Sequence, residues 1–247
     1  MKCLPALAAV CLLATAAAPA LAAAPKICGV FDDPAALSDY RKGRTEFAAK
    51  LAQVERSSFP SDVESGAAGL AGAGALEATL AAFPNHAPAL NALTRLALKE
   101  KRARLPGMKY PVECYYDRAQ RFAPDDAAVY ASYATFLYGL GLNDKAVEMY
   151  LRAVELDGRN AVIQYNLGLA YFKLSNFELA NKYAQRAYNA GFPLPGLRTM
   201  LQNAGKWRPM PDEVMPPAPV PEGAEPDTEP VEPLPSLPPG PAPQVKE

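Results

Sequence analysis

The stretch "YNLGLAYFKLSNFELANKYAQRA", Tyr165–Ala187, decides how this chain is read. Aromatic residues crowd it, yet Gly168, Ala170, Ala180, Ala184 and Ala187 punctuate them. That mixture serves either a ligand pocket or a close helix crossing, and spacing separates the two. Laying residues 127–160 over 161–194 brings Ala134 onto Gly168, Leu137 onto Tyr171, Leu140 onto Leu174, Ala146 onto Ala180 and Ala153 onto Ala187, all at an offset of 34. A fixed period of this length, made of two amphipathic helices, signals a solenoid.

The small residues supply the physical reason. Two antiparallel helices approach closely only where side chains are small, so Ala134 or Gly168 on a first helix admits Ala146 or Ala180 on the second. Ala153 and Ala187 lie two turns further along the same face and let the next helix dock. Leu137, Tyr150, Leu167 and Tyr171 fill the space around these crossings. The connections "GLGLND" and "LSNF" are short enough for tight hairpins.

This pattern resembles the tetratricopeptide repeat (TPR) family. "NLGLAYFKLSNFELANKYAQRA" carries the family's L-G-x-x-Y and the spaced alanines of the second helix. The preceding unit carries Tyr130, Ala134, Ala146, Tyr150 and Ala153, with Gly158 where the family usually has Pro. A third unit precedes both, with Pro84-Asn85 as its opening turn, Leu90, Leu93 and Ala97 as its first stripe, and Tyr116 and Ala119 in a second helix opened by Pro111. Six extra residues fall in "RARLPGMKYP". The resemblance covers 87–194 and implies an all-α solenoid of antiparallel helix pairs, with repeats at about 87–126, 127–160 and 161–194 inside a domain 84–206 that ends in a capping helix.

Residues 23–83 read as an N-terminal helical hairpin or cap. A helix is expected over 34–56, capped by Asp33 and opened by Pro34. Its partner is expected over 66–83, weakened by Gly66, Gly69, Gly72 and Gly74. Residues 207–247 change character. Residues 208–247 hold 14 prolines and no aromatics, so they cannot bury a core and are expected to be disordered with polyproline II character.

The first 22 residues read as a cleaved leader: Lys2, an apolar run, and Ala20-Leu21-Ala22 as the cut site. The run is short and broken by Pro5 and Pro19, so no stable membrane anchor is expected. Cys11 is a poor lipid-attachment site because Val10 precedes it. A periplasmic or secreted chain keeps two cysteines, Cys28 and Cys114. They either pair, which would stabilise by about 4–5 kcal/mol in the chain-entropy account, or remain two separate thiols, one of them buried.

Residues 25–207 carry 22 Lys and Arg against 18 Asp and Glu, and residues 208–247 carry 2 against 8. So mild a basic balance does not suggest nucleic acid. His86 is the one histidine, and with two separated cysteines it makes no zinc spacing. Nucleophile-elbow, phosphate-loop and H-E-x-x-H motifs are missing. No catalytic residue, metal or cofactor is expected.

The resemblance implies a concave groove lined by first helices, holding another protein or a peptide segment. By helical phase the groove residues are Asn91, Arg95 and Lys99, then Ser132, Thr135 and Tyr138, then Tyr165, Asn166, Leu169, Phe172 and Lys173. Asn91, Arg95 and Asn166 form part of a carboxylate-gripping set, but Val162 stands where a basic residue is wanted. A lipid or small ligand in the same groove, or an accessory role at the cell wall, is the competing reading. The basic run 94–110 reads as a solvated helix end, or as a dock for the acidic C-terminal segment or for an anionic envelope partner.

Overall fold

The computed structural model describes residues 28–209. The expected leader and the Pro-rich segment from Met210 onward lie outside the described residues. Two 3-10 turns, Pro34–Ala36 and Tyr40–Lys42, lead into α1 (Ala48–Ser58), α2 (Ser61–Ser65), a 3-10 turn at Gly69–Gly72, α3 (Ala73–Ala82), α4 (Ala87–Glu100), α5 (Val112–Phe122), α6 (Ala127–Gly139), α7 (Asn143–Leu156), α8 (Ala161–Lys173), α9 (Phe177–Asn189) and α10 (Gly196–Asn203). The described residues contain no strand. The architecture is the all-α, TPR-type solenoid: α6 pairs with α7, α8 with α9, α7 abuts α8, and α10 closes the end against α8 and α9.

The crossings fall on the small residues. Ala134, Ala146, Ala153, Ala180, Ala184 and Ala187 have no exposed surface. A Cβ built on Gly168 would stand 2.6 Å from Leu197 Cδ2, 3.3 Å from the Ala180 carbonyl oxygen and 3.3 Å from the Ala184 nitrogen. One glycine therefore seats both α9 and α10 on α8. At Gly139, on α6, a Cβ would meet only the Leu98 side chain of α4, whose tip can shift. Buried tyrosines fill the flanks and need hydroxyl partners. Tyr116 reaches Thr94 Oγ1 at 2.5 Å, and Tyr150 reaches Thr135 Oγ1 at 2.8 Å.

One hairpin turn recurs. After α6, Leu142 N donates to the Leu137 carbonyl (3.0 Å) and Gly141 N to that of Tyr138 (3.0 Å). After α8, Asn176 N donates to Tyr171 (3.0 Å) and Ser175 N to Phe172 (3.0 Å). Both close the helix with a left-handed residue, as in a Schellman motif. The second hairpin places Ser175, at φ +58°, where the first has Gly141 at φ +78°.

The N-terminal third departs from the expected pair of long helices. Residues 34–47 are not α-helical, because Leu37 is extended and the backbone there bonds elsewhere: Ser38 N donates to the Ala82 carbonyl at 3.1 Å, and Tyr40 N to Asn85 Oδ1 at 2.9 Å. Asp33 does cap, but only the first 3-10 turn. Residues 66–72 are not α-helical either, since Gly66 (φ +81°) and Gly69 (φ +55°) adopt left-handed backbone, so α3 begins at Ala73. The ordered body also runs past 206. Trp207 packs 6.1 Å from Tyr188, and Arg208 exchanges backbone hydrogen bonds with the Asn181 side chain at 2.8 and 3.1 Å.

Two outcomes follow for stability. Gly168→Leu should destabilise by about 3 kcal/mol or more through overpacking at a backbone contact, read as a lowered urea midpoint. Ser175→Gly should stabilise by about 0.5–1 kcal/mol by relieving a left-handed residue that carries a Cβ, read in the same titration.

Candidate partner-binding groove

The first helices α4, α6 and α8 lie side by side, and eleven residues were expected to face outward from them. The helices hold those residues in three states. Lys99 and Lys173 are exposed. Asn91, Arg95, Thr135, Tyr138, Asn166, Leu169 and Phe172 are half-buried, and Ser132 and Tyr165 are buried.

Tyr165 is therefore a packing residue. Its ring stacks on Phe192 with centroids 4.0 Å apart, and its hydroxyl accepts from the Leu197 N–H at 3.2 Å. The loop that carries α10 back over α8 covers it. Ser132 is committed as well, donating to Asn91 Oδ1 at 2.8 Å and so tying α6 to α4. Thr135 spends its hydroxyl on the Ala131 carbonyl (2.9 Å) and on Tyr150 (2.8 Å). Arg95 donates to the Glu64 carbonyl at the end of α2, and burial pulls its pKa down against the pull of Glu64. The basic end of the groove is thus occupied by the chain's own α2. Burial, helped by nearby Tyr165, pushes the Tyr138 phenol up to about 12.

What remains open lies toward α8. Asn166 stands at the register of Ser132, Leu169 at that of Thr135 and Phe172 at that of Tyr138, but α10 rather than another full repeat follows the α8–α9 pair. Phe172 has an edge contact to Phe177 at 5.4 Å. With Lys173 exposed beside it, this end offers an amide, two apolar side chains and one cation.

A second structured region is formed where residues 28–47 wrap the body. Cys28 and Cys114 form a disulfide, with Cα atoms 4.9 Å apart. Arg118 lies over the rings of Phe31 (4.5 Å) and Tyr110 (5.0 Å) and donates to the Val30 carbonyl at 3.0 Å. Arg121 donates to the Gly29 carbonyl at 3.1 Å. Further along, Arg41 grips Asp39 at 2.6 Å and both oxygens of Asp125 at 3.0 and 3.1 Å. Fully buried Asn85 donates to Asp39 (2.7 Å) and Asp126 (2.9 Å). Burial would raise the Asp39 carboxyl, but hydrogen bonds from Arg41 and Asn85 hold it below its ordinary value. Burial wins at Asp126, whose carboxyl is raised while it caps α6 through the Ala128 N–H at 3.0 Å.

His86 is fully buried. Its Nδ1 accepts from the Ala89 N–H at 3.1 Å as the cap of α4, and its ring packs on Tyr40 (4.2 Å) and Phe59 (4.9 Å). Between the wrap and α3 and α5 lies a cavity of about 240 Å³ that includes Phe31, Leu80, Tyr115 and Arg118 in its lining. Sequence reasoning missed the wrap and its cavity. The available signals were Cys28 and the Arg118/Arg121 pair one turn apart.

The TPR repeat family model matches residues 137–175. The match runs from the end of α6 through α7 and α8 to the next turn, so it straddles the boundary between the second and third units. No curated protein matches the chain. The repeat match supports a protein–protein interaction scaffold.

Removing the buried amide should loosen the wrap. Asn85→Ala strands the Tyr40 N–H and takes from Asp126 Oδ2 its amide donor, leaving only the Ala128 N–H on Oδ1 as a hydrogen-bond donor. The expected loss is about 1–3 kcal/mol, checked by chemical denaturation, with hydrogen exchange rising first in residues 38–42.

Proposed function

We propose that this chain is an exported scaffold of the cell envelope that holds another protein, or a peptide segment of one, in the groove formed by α4, α6 and α8. The observation that carries the reading is the open end of that groove: Asn166, Leu169, Phe172 and Lys173 stand together on α8 without the polar commitments that occupy Ser132, Thr135 and Arg95. Apolar contact area beside an amide and a cation suits an amphipathic segment carrying an acidic group. Because Arg95 is engaged by α2, the partner is gripped at the third unit rather than across a full carboxylate-binding set.

The leader-like first 22 residues and the Cys28–Cys114 disulfide support an oxidising, exported location. Among the described residues no helix is long and apolar enough to cross a membrane. The reading makes the chain a binding protein rather than an enzyme, with no cofactor and no nucleic-acid partner.

Photo-crosslinking from Leu169 in the native envelope is the test. A specific adduct should form and should fall about tenfold or more in an Asn166→Ala, Phe172→Leu variant, with the melting temperature nearly unchanged. An adduct that persists at full yield in the folded variant would place the partner elsewhere.

A further inference from the structure

The described residues expose five large apolar side chains, and three of them lie on the two recurring hairpin turns. Leu140 is 52% exposed, Leu142 43% and Leu174 36%. Leu140 and Leu174 hold the same place in successive units. The turns do not need these leucines. Their hydrogen bonds are made by backbone, and Asn176 fills in the second turn the place that Leu142 holds in the first.

The first helices end together at this edge. In a solenoid of antiparallel pairs α4, α6 and α8 run parallel, and Gly139 in the last turn of α6 lies against Leu98 in the last turn of α4. The edge therefore gathers the exposed cations of those ends. Lys99, Lys101 and Arg102 stand at the end of α4, Lys173 at the end of α8, and Lys145 in the first turn of α7. Lys206 Nζ joins them, 5.6 Å from the centre of the Phe177 ring at the start of α9. The acids on the same turns are fewer: half-buried Glu100, and Asp144 and Glu178 in the first turns of α7 and α9.

Shape and charge together select the occupant. Leucines at turn tips, about 8–10 Å apart as packed helices are, make a convex row and not a groove. A folded partner would need a separate pocket for each tip. A bilayer interface needs none, because headgroups and acyl chains move around whatever protrudes. Lysine and arginine beside such leucines can lay their apolar stems along the same boundary and keep their charges among the headgroups. An excess of cations then favours anionic lipid over zwitterionic. Three partly exposed leucines enter only to the depth of a turn, so the contact is shallow and reversible.

We propose that the hairpin edge of Leu140, Leu142 and Leu174 docks on an anionic phospholipid surface, with the leucines at the acyl boundary and the flanking cations among the headgroups. The turn tips meet the lipid, and not the flank of α8 that carries Asn166 and Leu169.

Vesicle flotation of the full chain, as recovered from its own cells, tests this. The chain should float with vesicles of phosphatidylethanolamine and phosphatidylglycerol and stay behind with phosphatidylcholine alone. Leu140→Ser, Leu142→Ser and Leu174→Ser together should weaken binding about tenfold or more, and Arg102→Gln with Lys145→Gln about tenfold, both with melting temperatures near that of the parent. A second measurement leaves the edge intact. A polarity-sensitive dye on Ser175→Cys, with the native disulfide kept, should shift to the blue on the anionic vesicles, and the same dye on Arg159→Cys, in the turn between α7 and α8, should not. No flotation with anionic vesicles, or full flotation of the folded leucine variant, overturns the proposal. So do equal shifts at both dyes, which would mean adsorption without a preferred face. A shift at Ser175→Cys that needs no vesicles and grows with protein concentration also overturns it, and would assign the edge to a second copy.

Discussion

How closely two helices can cross depends on the side chain at the crossing, and here that constraint governs the whole body. At Gly168 the backbone of α9 comes within contact of α8, and Leu197 of α10 occupies the space a side chain would have used. Alanines with no exposed surface repeat the arrangement at Ala134, Ala146, Ala153 and Ala180. Large residues then have fixed volumes to fill. Tyr116 and Tyr150 each bury a full ring, and each finds a threonine on the facing first helix for its hydroxyl. Those threonine bonds decide what the groove can offer, because a hydroxyl spent inside is unavailable outside.

The two ends of the solenoid are closed by different means. At the C-terminal end closure is apolar: Leu197 and Leu201 are fully buried and Phe192 stacks on Tyr165. At the N-terminal end it is polar and covalent. Arg41, Asp39, Asn85, Asp125 and Asp126 form one network, and the disulfide and the Arg118 stack hold the segment before it. A buried polar network stabilises only when every member is satisfied. Asn85 uses both its oxygen and its nitrogen, which is why one uncharged residue at its centre carries so much of the attachment.

Periodic packing was legible in the sequence, and aperiodic attachment was not. Ala134 with Gly168 and Ala146 with Ala180 declare themselves by repeating, and the helices follow. Residues 34–47 look helical by composition, yet Asn85, forty-five residues from Tyr40, takes the backbone bond a helix would have used. Helical phase also named Tyr165 as a groove residue. Phase reports which side of a helix a residue occupies, and Tyr165 is covered by Phe192, in the turn after the second helix, and by Leu197, beyond the repeat that set the phase. Ser132 failed for the same reason, through a bond to Asn91 on another unit.

The asymmetry of the groove follows from the closures. At the first unit, α2 lies across α4 and takes Arg95 for its own carbonyl. At the second, Ser132 ties the unit to the first, and Thr135 ties its two helices to each other. The third unit places Asn166 and Leu169 at the positions of Ser132 and Thr135, and leucine has no hydroxyl to spend on the facing helix. A partner that binds there would use side chains particular to the third unit, not a feature shared by all three units.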